Sequence, residues 1–121
     1  MLGKQRTTTD ILREIVEING VEASIVVGRD GFVIESVGNV PDIELDALGG
    51  CLATAVSGID AMGSELRISG FQDLFVEYGS ATILCRPVGD TVLAVVSPDS
   101  SQLGSIRYRI KNYLTELKSF F

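Results

Sequence analysis

Apolar residues between positions 42 and 66 fall at Leu45, Leu48, Leu52, Ala55, Ile59, Met62 and Leu66. The steps alternate three and four, which predicts a long helix with these residues on one face. The other faces lack the charges that water-facing positions usually carry. From Ala47 to Ile59 there are none, only Gly, Ala, Cys, Thr, Ser, Leu, Val and Ile. A helix uncharged all round is covered on more than one side: once by its own domain, and once, on this reading, by a protein partner. The pattern points to work by contact rather than by chemistry.

Shorter signals place the other elements. Thr9-Asp10 can cap a first helix whose stripe is Ile11, Leu12, Ile15, Val16 and Ile18, with Asn19-Gly20 as its stop. Val21 to Gly28 reads as a strand, Asp30-Gly31 as a turn, and Phe32 to Val37 as the return strand. The long helix runs from Asp42 to about Leu66–Ser69, and Gly70 is expected to close it. Phe71 to Tyr78, Ala81 to Val88 and Thr91 to Ser97 read as three more strands, separated by Gly79-Ser80 and Gly89-Asp90. Leu103 to about Leu117 is a last helix with Leu103, Ile106, Ile110, Tyr113, Leu114 and Leu117 on one face.

The element order is therefore α-β-β-α-β-β-β-α. Hairpin-length links make the five-stranded sheet antiparallel, an α/β (α+β) fold. Val92-Leu93-Ala94-Val95-Val96 is apolar on both faces, so this strand belongs in the middle of a sheet covered on both sides. The long helix is expected on one face and the two terminal helices on the other. The third strand alternates only partly and carries Asp73 and Glu77, which suits an edge. Such an edge can pair with a second chain, or be kept apart by those two acids.

Length and composition narrow the class. A chain of 121 residues makes one domain, here with a core of about residues 10–117. It can bury roughly two-thirds of its unfolded surface without staples. Cys51 and Cys85 lie in an apolar helix and an apolar strand without CxxC spacing, so two buried free thiols in a reducing compartment are expected. No apolar core follows the first charged residues, which points to a cytoplasmic chain. The uncharged run Ala47 to Ile59 reads as too short and too rich in Gly and Ser to span a bilayer, so no membrane insertion is expected. Net charge is −6, and residues 30–99 hold eleven acidic groups against Arg67 and Arg86. That balance argues against a nucleic-acid partner, which needs a basic face.

Signals of catalysis are missing. There is no histidine, no Gly-x-Ser-x-Gly elbow and no phosphate-loop lysine. Neither a metal site nor a cofactor is expected, and no catalytic residue is assigned. The candidate residues are those of an interface. Gly50, Thr54, Ser57, Gly58 and Ala61 are small and spaced by three or four, so a second helix can approach closely. Alternatively they pack on the protein's own sheet. Each helix-interior glycine costs up to about 1 kcal/mol relative to alanine, and this helix has four: Gly49, Gly50, Gly58 and Gly63. Phe71, Asp73, Leu74, Phe75 and Val76 extend the candidate dimer interface along the third strand. Asp42, Glu44, Asp46, Leu48 and Asp60 flank the uncharged patch; the first three acids also suit the positive end of the helix dipole. Arg107, Lys111 and Lys118 share one side of the last helix, as a solvated face does. Arg29 and Arg86 are the arginines near turns or sheet ends that could reach a phosphate in trans.

The element order, the Gly/Ala-rich second helix, the run Val21-Glu22-Ala23-Ser24-Ile25-Val26-Val27-Gly28-Arg29-Asp30-Gly31 and the lead from Ser36 to Pro41 into Ile43 resemble the roadblock/dynein light chain family. The likeness is to its bacterial and archaeal branch, the MglB-like regulators of Ras-like small GTPases, and it covers about Ile11 to Leu117. It implies a homodimer whose third strands pair into a ten-stranded sheet, with the two long helices side by side. It also implies a small GTPase docked on or near that helix pair. Some relatives accelerate GTP hydrolysis by repositioning the GTPase's own residues rather than supplying an arginine; others are adaptors. A nucleotide-independent scaffold and a profilin-like small-molecule sensor stay open as alternatives.

Overall fold

The computed structural model describes residues 5–39, 43–98 and 100–121. Helix α1 spans Thr8–Val16. Its start lies two residues ahead of the expected Thr9-Asp10 cap, because Asp10 serves as the third helical residue rather than the cap. Thr7 Oγ1 accepts from the Asp10 N–H at 3.2 Å, and Asp10 Oδ2 accepts from the Thr7 N–H at 2.9 Å. This reciprocal capping box satisfies two donors that would otherwise be free. The helix delivers Ile11, Leu12 and Ile15 to the core, and Ile18, just past the helix, joins them.

Strands β1 (Ala23–Gly28) and β2 (Val33–Gly38) form the first hairpin. At its turn Asp30 Oδ1 accepts from the Phe32 N–H at 3.1 Å, and Gly31 takes φ +93°. Helix α2 covers Leu45–Leu66. Strands β3 (Leu74–Glu77), β4 (Thr82–Val88) and β5 (Thr91–Ser97) follow, then helix α3 (Leu103–Lys118). All pairings are antiparallel, in the order β2-β1-β5-β4-β3. The central strand β5 has the expected bounds and is buried at every position.

Alternation along the strands builds two cores. Val26, Leu84, Leu93 and Val95 point to α1 and α3, where Ile106, Ile110 and Leu117 meet them. Ile25, Val27, Cys85, Val92 and Ala94 point the other way, to Leu52 and Val56 of α2. The arrangement is the expected one, with the long helix on one face and the terminal helices on the other.

Some bounds move, each for a local reason. Helix α2 begins at Leu45 behind Glu44, whose side chain makes no cap bond. It is closed by Arg67 in the left-handed region (φ 59°), not by Gly70. The Ile68 N–H donates to the Gly63 carbonyl at 2.9 Å and the Arg67 N–H to the Ser64 carbonyl at 3.1 Å, a Schellman closure. Strand β3 is four residues long rather than eight. Phe71 tucks partly into the α2-side core, and Asp73 is drawn to Arg86 and Arg107 before the ladder begins.

Candidate protein-interaction surface

Helix α2 buries Gly49, Leu52 and Val56 against the sheet, with Leu45, Leu48 and Ile59 half-buried beside them. The expected inner stripe was therefore correct only in its first half: Ala55, Met62 and Leu66 are exposed. A strict three-four alternation repeats every 3.5 residues, whereas the helix turns every 3.6, so such a stripe drifts about 20° per heptad. Beyond Leu52 the buried line passes through Val56 and Ile59 instead. Cys51, expected to be buried, is exposed on the outer face, while Cys85 is buried on β4.

The four helix glycines divide into two kinds. A Cβ on Gly49 would stand 2.8 Å from the Gly31 carbonyl oxygen and 3.0 Å from Val33 Cγ2. On Gly63 it would stand 2.9 Å from the Ile68 carbonyl oxygen. These two glycines let the β1–β2 turn and the helix closure come close. A Cβ on Gly50 or Gly58 would have nothing within 4 Å. Those two carry the same helix penalty with no packing reason among the described residues.

Gly50, Thr54, Ser57, Gly58 and Ala61 are all exposed, so they do not pack on the protein's own sheet. The Thr54 hydroxyl donates to the Gly50 carbonyl at 2.9 Å, spending its polarity on its own helix. By length and composition α2 is apolar enough to cross a membrane. Here its inner residues are packed on the sheet, and the uncharged outer face has no cover among the described residues.

At the helix end that face widens into a groove of about 380 Å³, lined by Ile59, Met62, Gly63, Leu66, Ile68 and Phe71 among others. Leu66 is 69% and Ile68 63% exposed. The sequence reading missed this groove; its only mark was a pair of large apolar residues straddling the helix stop. The flanking acids differ among themselves. Glu44 and Asp46 are exposed, whereas Asp60 pairs with Arg29 of the β1–β2 turn. Leu48 leans towards the inner core, and Asp42 lies outside the described residues.

Strand β3 is an outer strand, hydrogen-bonded to β4 alone among the described residues. Leu74 faces the α2 side, packed against that core. The alternation puts Val76 on the same side and Phe75, 40% exposed, on the α3 side. Phe71 and Asp73 turn inward, as described above. Arg86 is held by Asp73 at 2.9 Å. Both arginines weighed for a phosphate role are thus committed to carboxylates.

Elsewhere, Arg6 is held by Glu116 and Glu14, and its guanidinium is raised by hydrogen bonds to Glu116 first and Glu14 second. Among the described residues no group of three or more His, Cys, Asp or Glu could hold a metal ion.

This architecture, three helices around an open five-stranded antiparallel sheet, is the roadblock fold. Residues 7–97 match the Roadblock/LC7 domain family model, and the chain belongs to that family. The "uncharacterized protein MJ0714" of Methanocaldococcus jannaschii is 33% identical over 113 residues, covering 92% of this chain and 93% of that one. The solved structure of Myxococcus xanthus MglB superposes with a TM-score of 0.85 at 23% identity, over 96% of this chain and 98% of that one. A second structure, described as MglB with tetrameric arrangement, gives 0.82 at 20% identity over 91% and 84%.

Proposed function

We propose that this chain is a self-associating, non-enzymatic regulator or adaptor of a Ras-like small GTPase, acting in the cytoplasm. The observation that carries the reading is the uncharged outer face of α2, where Gly50 and Gly58 keep a helix penalty that nothing among the described residues explains. Two such faces packed across a two-fold axis would bury each other's small residues. The β3 edges, through Leu74, Phe75 and Val76, would continue one sheet into the next. The tetrameric arrangement described for one MglB supports self-association as a property of this fold's relatives.

A GTPase would then sit over the paired helices, with Glu44 and Asp46 presenting the nearest unpaired acids. Asp60 contributes through its pair with Arg29 rather than as a free charge. Arg29 and Arg86 are both paired with carboxylates, which favours stimulation of hydrolysis by repositioning groups of the GTPase itself over an arginine supplied from either position.

The test has two steps. Sedimentation should give dimer mass for the wild type and monomer mass for Gly50→Leu and Ser57→Arg; dimer mass surviving both substitutions sinks the interface. Bait pull-downs with GDP or a non-hydrolysable GTP analogue should recover a small GTPase mainly with the analogue. Equal recovery in both states would turn the reading to a nucleotide-independent scaffold, and recovery in neither would remove the GTPase.

A further inference from the structure

Strand β3 has an unusual anchorage. Residues 67–70 ahead of it are exposed, and among the described residues its four residues pair with β4 alone. What fixes its entry is Asp73, whose side chain is only 10% exposed. Its Oδ1 lies 2.9 Å from Arg86 Nε on β4. Its Oδ2 accepts from Arg107 Nε and also lies close to Arg107 Nη2, both at 3.0 Å, on α3. Arg86 Nε further donates to the Gln72 carbonyl at 3.4 Å. One carboxylate thus ties the pairing edge to its neighbour strand and to the last helix.

The tie is charged, buried and incompletely bonded. Asp73 Oδ1 and Arg86 Nη1 are buried, and neither has a hydrogen-bond partner among the described residues. Buried ion pairs with unfilled bonding capacity add little net stability against an apolar alternative, but removing one partner is strongly unfavourable. Such a group serves position better than stability. Arg107 is the accessible member, its side chain 44% exposed.

We infer that Arg107 is a positioning residue: through Asp73 and Arg86 it lets α3 set the pitch of β3, so that self-association through that edge depends on a helix outside the interface. This rests on the self-association reading above. A partner that drew Arg107 away from Asp73 would loosen the edge from a distance.

The test compares Arg107→Gln with Arg109→Gln, which removes an equal charge from an exposed site on the same helix. Arg107→Gln should weaken the dimer about tenfold and speed hydrogen exchange of the Leu74–Glu77 amides; Arg109→Gln should do neither. Arg107→Lys should restore part of both. Equal effects of the two Gln variants would reduce the result to net charge and overturn the proposal, as would unchanged exchange in Arg107→Gln. If the wild type is monomeric throughout yet Arg107→Gln alone speeds β3 exchange, the clamp stands and the pairing reading falls.

Discussion

The two helical layers of this domain are built to different ends. On one face α1 and α3 close over the sheet with a capping box, fully buried Ile11, Leu12, Ile15, Ile106, Ile110 and Leu117, and Arg6 bonded to Glu14 and Glu116 across the two helices. On the other face the longest helix buries only Gly49, Leu52 and Val56 and turns Gly, Thr, Ser and Ala outward. The first layer is finished within one chain. The second has the composition of an interior helix with the exposure of a surface one, the contrast on which the proposed self-association rests. If the proposed self-association uses the α2 face, stability and association fall to opposite faces, and substitutions should separate them.

The largest difference should come from truncation. Ile110→Ala, in the closed layer at 0% exposure, should lower unfolding free energy by about 2–5 kcal/mol. Met62→Ala, 55% exposed on the open layer, should change the monomer by less than about 0.5 kcal/mol. Urea denaturation at low protein concentration reads both. A Met62 effect as large as that of Ile110 would mean that the open layer is closed within the monomer.

A sharper comparison lies in two adjacent residues. Gly49→Ala forces a methyl against the Gly31 carbonyl and should destabilise by about 1–3 kcal/mol. Gly50→Ala meets nothing and should raise monomer stability by up to about 1 kcal/mol while weakening the dimer. The same sign at both positions in thermal unfolding would collapse the division of the glycines into two kinds.

The smallest effects concern the cysteines, which sample the α2 layer from outside (Cys51) and from inside (Cys85). Iodoacetamide should add one label, at Cys51, in the folded monomer at low protein concentration, and a second at Cys85 only on unfolding. Burial pushes the Cys85 thiol up from its ordinary 9.0 to about 12. The folded state then holds a proton that the unfolded chain releases, so this contribution is whole below pH 9.0 and is lost as pH rises to about 12. The urea-midpoint difference between wild type and Cys85→Ala should shrink over that range; a constant difference would show that Cys85 titrates normally.

Much of this was legible in the residues. Local chemistry announced each element: Asp30-Gly31, Gly79-Ser80 and Gly89-Asp90 for turns, and a two-sided apolar run for β5. The outward set Gly50, Thr54, Ser57, Gly58 and Ala61 could be placed on one face because helical spacing alone decides it. What could not be read depends on distance or on small angles. The expected cap at Thr9-Asp10 gives way to Thr7, which the two bonds between Thr7 and Asp10 choose. The drift of the α2 stripe comes from a tenth of a residue per turn. The late start of β3 goes with Phe71 entering the core and with Asp73 meeting Arg86 and Arg107, both farther along the chain, and the groove at Leu66 and Ile68 with a left-handed Arg67 that carries no sequence signal.

The place of β5 bears on how the molecule is made. The last strand to leave the ribosome lies at the centre of the sheet, where Ala23 pairs with Val96. Until then the first hairpin has one flank of β1 open and β4 has no inner neighbour, and both carry apolar residues to whatever is nearby. Loop closure between such distant partners is slow relative to local hairpins and helices. Nascent chains halted before Thr91 should thus be the sticky ones. The ribosome delivers the strands in an order that the sheet cannot use until the keystone arrives.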